Sequence, residues 1–188
     1  MRRLFIAIKI VPDEQFMEVY NKLKLHTTKL DKINWINPDL LHITLKFLGE
    51  VPTEKIPSIV EKMYVICKNV SSFTIDIAFV GLFGSIYKPR VLWFGIDDNT
   101  GMLQQLHQSI EKQMRKLDFP PHIGNFVPHL TIARLNKIDN KKRFLQHIEQ
   151  NQTQQIQHLT VNEIILYETI FNGRLPVYEK IMVFAING

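Results

Sequence analysis

The chain sets out strand-like and helix-like stretches twice in the same order, and this repetition limits the possible folds more than any single segment does. Arg3 to Ile10 alternates in the manner of a strand, and Asp13 then heads a helical stretch with Phe16, Val19, Tyr20 and Leu23 at three-and-four spacing. Leu41 to Leu48 is a strand closed by Gly49, Thr53 and Pro57 open a helix carrying Ile59, Val60, Met63 and Ile66, and Phe73 to Val80 is a third strand. The order restarts at Arg90. Val91 to Ile96 is a strand, Asn99 or Thr100 caps a helix with Leu103, Leu106, Ile110, Met114 and Leu117 on one face, and Pro120, Pro121 and Pro128 delimit a loop. Pro128 to Arg134 is the next strand, Asp139 to Glu149 a helix and Leu159 to Glu168 a strand, with Val177 to Ile186 pairing back across an Asn172-Gly173 turn.

A shift of about 87 positions brings Arg3 near Arg90 and lays His42 on His129. The expected class is α+β and bilobal: two β-α-β-α-β halves, about 1–85 and 86–188, related by a pseudo-twofold, with largely antiparallel sheets facing a central cleft and helices outside. No linker rich in Gly, Pro or Ser separates the halves, so residues 1–188 are expected to form a single bilobal domain.

With 188 residues, 45% of them hydrophobic, the chain can bury a sizeable core. A net charge of +5 and a pI near 9.3 favour anionic partners without identifying one. The single cysteine, Cys67, rules out an internal disulfide framework and sits among Met63, Val65 and Ile66 as a buried thiol would. Lys9 and Pro12 interrupt the short apolar run after Met1-Arg2-Arg3, which reads as a first strand rather than an export signal. No segment approaches the roughly 20 apolar residues that span a bilayer. A soluble cytoplasmic monomer with no membrane association is expected.

The chemistry falls on the repeated motif. In His42-Ile43-Thr44-Leu45-Lys46-Phe47 a period of two puts His42, Thr44 and Lys46 on one face and the apolar residues on the other. In His129-Leu130-Thr131-Ile132-Ala133-Arg134 the same alternation presents His129 with Thr131. If the halves are related by a twofold, both pairs face one groove. Displacement at phosphorus needs one group to take a proton from water and another to protonate the departing oxygen, and imidazole, with an ordinary pKa of about 6.5, suits both tasks. The threonine hydroxyls can donate to the non-bridging oxygens. A single His-x-Thr is unremarkable in a sheet; two copies at equivalent places in a repeat are not.

At these residues the sequence resembles the two-histidine (2H) phosphoesterase superfamily, and within it the RNA 2′,3′-cyclic phosphodiesterases historically called 2′-5′ RNA ligases. The resemblance runs over nearly the whole chain, through Arg3 to Ile8, Leu41 to Glu50, Pro89 to Trp93, Pro128 to Arg134 and Leu166 to Glu168. It implies a bilobal α+β fold, no cofactor, no metal, and hydrolysis of a 2′,3′-cyclic phosphate RNA end to a 2′-phosphomonoester. His42 would then be the proton donor to the 3′ oxygen and His129 the proton acceptor that activates water, with Thr44, Thr131 and Arg134 on the phosphate. Arg134 has the wrong parity for that contact in an unbroken strand, so either a bulge intervenes or it is an exposed strand-end arginine. Lys46 has the right parity but is matched by Ala133 in the other half, leaving it either a phosphate contact or a solvated strand lysine.

His26, His107, His147 and His158 read as surface residues, and His122, in the loop before the second motif, is placed to reach the cleft. No histidine is spaced with Asp, Glu or Cys as a zinc site requires. Phe83, Tyr87 and Tyr167 are either base-stacking or core aromatics, and Lys88, Arg90 and Arg174 either phosphate contacts or ordinary surface cations. Three functions compete: hydrolysis of RNA cyclic phosphate ends; the same site acting on 2′,5′-linked oligonucleotides or an ADP-ribose cyclic phosphate, or joining RNA by reversal; and an RNA-end binding module without turnover.

Overall fold

The computed structural model describes every residue except 26, 86, 153–154, 174 and 187–188. The Arg174 and His26 expectations therefore lie outside the described residues. In chain order the elements are β1 (Arg2–Lys9), α1 (Glu14–Leu25), β2 (Lys32–Trp35), β3 (His42–Val51), α2 (Ile56–Cys67), β4 (Phe73–Ser85), β5 (Lys88–Asp97), α3 (Met102–Arg115), β6 (His129–Lys137), α4 (Lys141–Glu149), β7 (Gln157–Val161), β8 (Glu163–Asn172) and β9 (Leu175–Ala185). The strands pair antiparallel in one curled sheet of order β7-β4-β5-β6-β3-β1-β8-β9, with β2 on β6.

Side-chain alternation gives this sheet two different faces. Leu4, Ile6 and Ile8 of β1, Ile43 and Leu45 of β3, Leu92 and Phe94 of β5 and Leu130 and Ile132 of β6 pack with Phe16, Met63, Leu103, Leu106 and Ile110 of the helices in one continuous core. Phe5, Ala7, Ile165 and Tyr167, of opposite parity, form a smaller cluster with Tyr178 on the other face. Helix α1 starts where the Asp13 carboxylate accepts the Phe16 N–H at 2.7 Å. For α3 the N-cap position is Gly101 rather than Asn99 or Thr100, although the Thr100 hydroxyl accepts the Met102 N–H at 3.2 Å. Gly101 takes a left-handed φ of 69° just before the helix, which lets the Asp98 carboxylate reach back to the N–H of Leu103 at 2.8 Å.

The α+β class and the repeated element order hold, with one rearrangement that the linear pattern hides. The fourth strand of each half pairs with the first strand of the other: β4 lies on β5, and β8 lies on β1. The stretch expected as one strand over Leu159 to Glu168 is two, β7 and β8, broken at Asn162 because the first pairs with β4 and the second with β1. Strand β2 has no counterpart in the sequence pattern. Cys67 is buried, and burial pushes its thiol up to about 12. No helix among the described residues is long and apolar enough to cross a membrane.

Candidate active site

Strands β3 and β6 touch at one residue pair, Ile43 opposite Leu130. One step either side of that pair sets His42 against Thr131 and Thr44 against His129, and since Ile43 and Leu130 point into the core, all four neighbours point to the opposite face. Beyond the contact the strands splay, and β2 takes over the edge of β6 from Ala133 to Lys137. The splayed face is a cleft of about 600 Å³ whose lining includes His42, Thr44, His129, Thr131, Arg134 and Tyr178.

A bulge at the same place in each motif decides what else enters that cleft. In β3 the register against β1 slips between Thr44 and Lys46, and in β6 the register against β5 slips between Thr131 and Ala133. Each extra residue reverses the facing of the residues beyond it in its strand. In β6 the reversal buries Ala133 and turns Arg134 into the cleft, where it is exposed and makes no ion pair among the described residues. In β3 it turns Phe47 into the cleft, 71% exposed, and sends Lys46 the other way. Lys46 is buried against α3, its ammonium donating to the Glu111 carboxylate at 2.7 Å and to the Pro120 carbonyl at 2.9 Å. The expectation that Lys46 shares the face of His42 and Thr44 is thus corrected: period-two counting fails one residue before it.

Both imidazoles are held alike. The Nδ1 of His42 lies 2.8 Å from the carbonyl of Leu40, and the Nδ1 of His129 lies 2.8 Å from the carbonyl of Val127. A carbonyl only accepts, so each Nδ1 carries a hydrogen, and Nε2 is left to take or give a proton in the cleft. His42 packs among Phe5, with ring centroids 4.9 Å apart, and Tyr178 at 5.0 Å. His129 is edge-on to Phe83 at 4.7 Å, with Trp93 at 6.2 Å. Gly81 makes room for that indole, since a Cβ there would stand 2.3 Å from the Trp93 ring. Burial pushes His42 down to about 4, aided by the positive charges of Lys9, His129 and Arg134, while its bond to the Leu40 carbonyl works the other way. Burial also holds His129 below its ordinary value. The empty cleft disfavours the charged form of both rings, and its surrounding field favours an anion.

The remaining sequence candidates divide. His122 is exposed and lines a side branch of the cleft with Thr44, Phe47 and His129. Phe83 lines the cleft, Tyr87 is exposed at the β4–β5 hairpin, and Tyr167 is buried and stacked on Phe5 at 5.2 Å. Lys88 and Arg90 are exposed. His158 is exposed, with Nδ1 2.7 Å from the Asp76 carboxylate. His107 and His147 are not surface residues. Both are buried, and His107 hydrogen-bonds the Leu45 carbonyl through Nδ1 at 2.9 Å and stacks on Phe126 at 3.8 Å. Phe47 is a cleft residue that alternation does not find; a bulge shared with the Arg134 position is the signal that reveals it. Among the described residues no three His, Cys, Asp or Glu side chains group closely enough to hold a metal ion.

Fold and site together define a class: a duplicated α+β protein that presents two His-x-Thr strands to one cleft, as the two-histidine phosphoesterases do. The model of the 2′-5′ RNA ligase superfamily matches residues 11–170, and the chain belongs to that family. Over 181 residues it is 31% identical to the RNA 2′,3′-cyclic phosphodiesterase of Methanocaldococcus jannaschii, covering 95% of this chain and 98% of that one. It is 27% identical to the protein of the same name from Aquifex aeolicus, covering 91% of each. The fold is that of TT0787 of Thermus thermophilus, with a TM-score of 0.79 at 20% identity over 99% of this chain and 98% of that one. It is also that of Escherichia coli LigT complexed with 3′-AMP, at 0.76 and 23% identity over 100% and 99%.

Proposed function

We propose that this chain is an RNA 2′,3′-cyclic phosphodiesterase that opens the cyclic phosphate at an RNA 3′ end to a 2′-phosphomonoester. The observation that carries the proposal is the matched pair of imidazoles, each with Nδ1 fixed by a backbone carbonyl and Nε2 available to one cleft beside Thr44, Thr131 and Arg134. Naming of the relatives as RNA 2′,3′-cyclic phosphodiesterases supports the same reading.

In the proposed step His129 Nε2 takes a proton from water as the water oxygen bonds to phosphorus. The bond from phosphorus to the 3′ oxygen breaks, and that oxygen takes the proton carried by His42 Nε2. The products are a 2′-phosphomonoester and a free 3′-hydroxyl. Thr44 and Thr131 donate to the non-bridging oxygens, and the Arg134 guanidinium stabilises their added charge. Bound phosphate also supplies the negative charge that lets His42 hold its proton, which the empty cleft resists. Simple phosphate binding is a poorer reading, because a permanently charged Arg or Lys does that better than two imidazoles whose charged form burial disfavours. His42→Ala and His129→Ala should each abolish turnover of a cyclic phosphate end while leaving RNA affinity nearly intact; turnover unchanged in either variant would overturn the pairing.

A further inference from the structure

The cations of the molecule are distributed unequally about the cleft. On the His42 side, Arg2 is taken up by the Glu168 carboxylate, Arg3 lies over the Phe171 ring at 5.7 Å, the Lys9 ammonium donates to the Asp39 carbonyl, and Lys180 stands exposed beside Lys9. On the His129 side exposed cations are more numerous and form a ridge. Val91 pairs with Arg134, so three residues further out along the same two strands, about 10 Å from Arg134, stand Lys88 and Lys137. Lys32 of β2 pairs directly with Lys137. The Lys141 ammonium donates to the Tyr87 carbonyl at 2.7 Å, which pins the start of α4, with Lys141 and Lys142, against the β4–β5 hairpin tip.

All of these lysines are exposed, and among the described residues none makes an ion pair. Asp31, whose oxygens accept from Thr28 and from the Asp139 N–H, lies within electrostatic reach of Lys137. Like charges opposed across β2 and β6 and gathered in the first turn of a helix repel one another and the helix dipole, a cost that Asp31 offsets at Lys137 but not along the rest of the ridge. A polyanion offsets it. Tyr87, 78% exposed in the middle of the ridge, adds a flat ring on which a base can stack.

We propose that this ridge, running from Arg134 past Lys88 and Lys137 to Lys141 and Lys142 with Tyr87 among them, carries the RNA strand upstream of the reacting 3′ end. The substrate is then a polyribonucleotide held along the His129 side of the cleft, not a free cyclic mononucleotide; this rests on the cyclic phosphodiesterase reading for the chemistry but not for the binding.

The test compares a 2′,3′-cyclic mononucleotide with a short oligoribonucleotide ending in 2′,3′-cyclic phosphate, for the unaltered protein, a Lys141→Glu/Lys142→Glu variant and Tyr87→Ala. The charge reversal should lower kcat/KM for the oligomer about tenfold and change it less than about twofold for the mononucleotide. Affinity for a labelled oligoribonucleotide with a 2′-phosphate end, read by fluorescence anisotropy, should fall with it, and its salt dependence should flatten. Tyr87→Ala should weaken oligomer binding roughly five- to tenfold. Equal losses on both substrates, or oligomer binding untouched by the charge reversal, would overturn the ridge. The anisotropy measurement needs no turnover, so failure of the chemistry and failure of the ridge remain distinguishable.

Discussion

His42 and His129 do the same thing to their own Nδ1 and meet different surroundings at Nε2. His42 lies among Phe5, Tyr167 and Tyr178, with Lys9 and Arg134 adding positive charge, and is pushed down to about 4; His129 faces Phe83 and Trp93 and is lowered by burial. In the role proposed for it, His42 must recover as substrate binds the proton that the empty cleft disfavours. The profile of kcat/KM against pH, which reports the free protein, should peak on the acid side of 6.5 and fall as pH rises through the lowered histidine values. That of kcat, which reports the complex, should extend to higher pH because the bound phosphate charge raises His42. Superimposable profiles for the two parameters would contradict this electrostatic account. The histidines and threonines of the motif are legible in the sequence, since alternation alone puts them on one face. Their unequal surroundings are not, because Lys9, Tyr178 and Arg134 arrive from three other strands.

At the level of elements the two bulges matter most. The same one-residue slip in β3 and β6 exchanges the facing of Lys46 and Phe47 in one half and of Ala133 and Arg134 in the other. A bulge leaves little trace in a single sequence, which is why alternation misplaces Lys46 and does not find Phe47. The inward Lys46 does a different job: with Glu111 it ties β3 to α3, and through the Pro120 carbonyl and the His122 N–H on Glu111 it fixes the loop that leads into His129. Lys46→Met should destabilise the protein by roughly 3 kcal/mol in urea unfolding, because it leaves Glu111 half-buried without its partner, and Lys46→Met/Glu111→Met should regain most of that loss. Equal destabilisation by the single and double substitutions would show that the pair is not coupled. Four-residue β2 and the break at Asn162 are illegible for a simpler reason: both are set by which strand lies alongside, not by local propensity.

Across the whole molecule, duplication gives the order of elements but conceals their exchange. Periodicity marks β4 and β8 as strands, yet only the sheet reveals that each crosses to the opposite half, β4 onto β5 and β8 onto β1. With the halves interlocked and each buried cluster drawn from both, neither half has a core of its own. Calorimetry should therefore show one cooperative transition with equal calorimetric and van't Hoff enthalpies; two resolved transitions would mean that the halves unfold separately. The same exchange brings the two motifs together at the Ile43–Leu130 contact, where a donor and an acceptor can stand on either side of one phosphorus. The most direct test of that arrangement is the position of the phosphate in the product. RNA ending in a 2′,3′-cyclic phosphate, incubated with the purified protein in excess EDTA, should yield a 2′-phosphate end at an undiminished rate; a 3′-phosphate product, or activity lost on chelation, would contradict it.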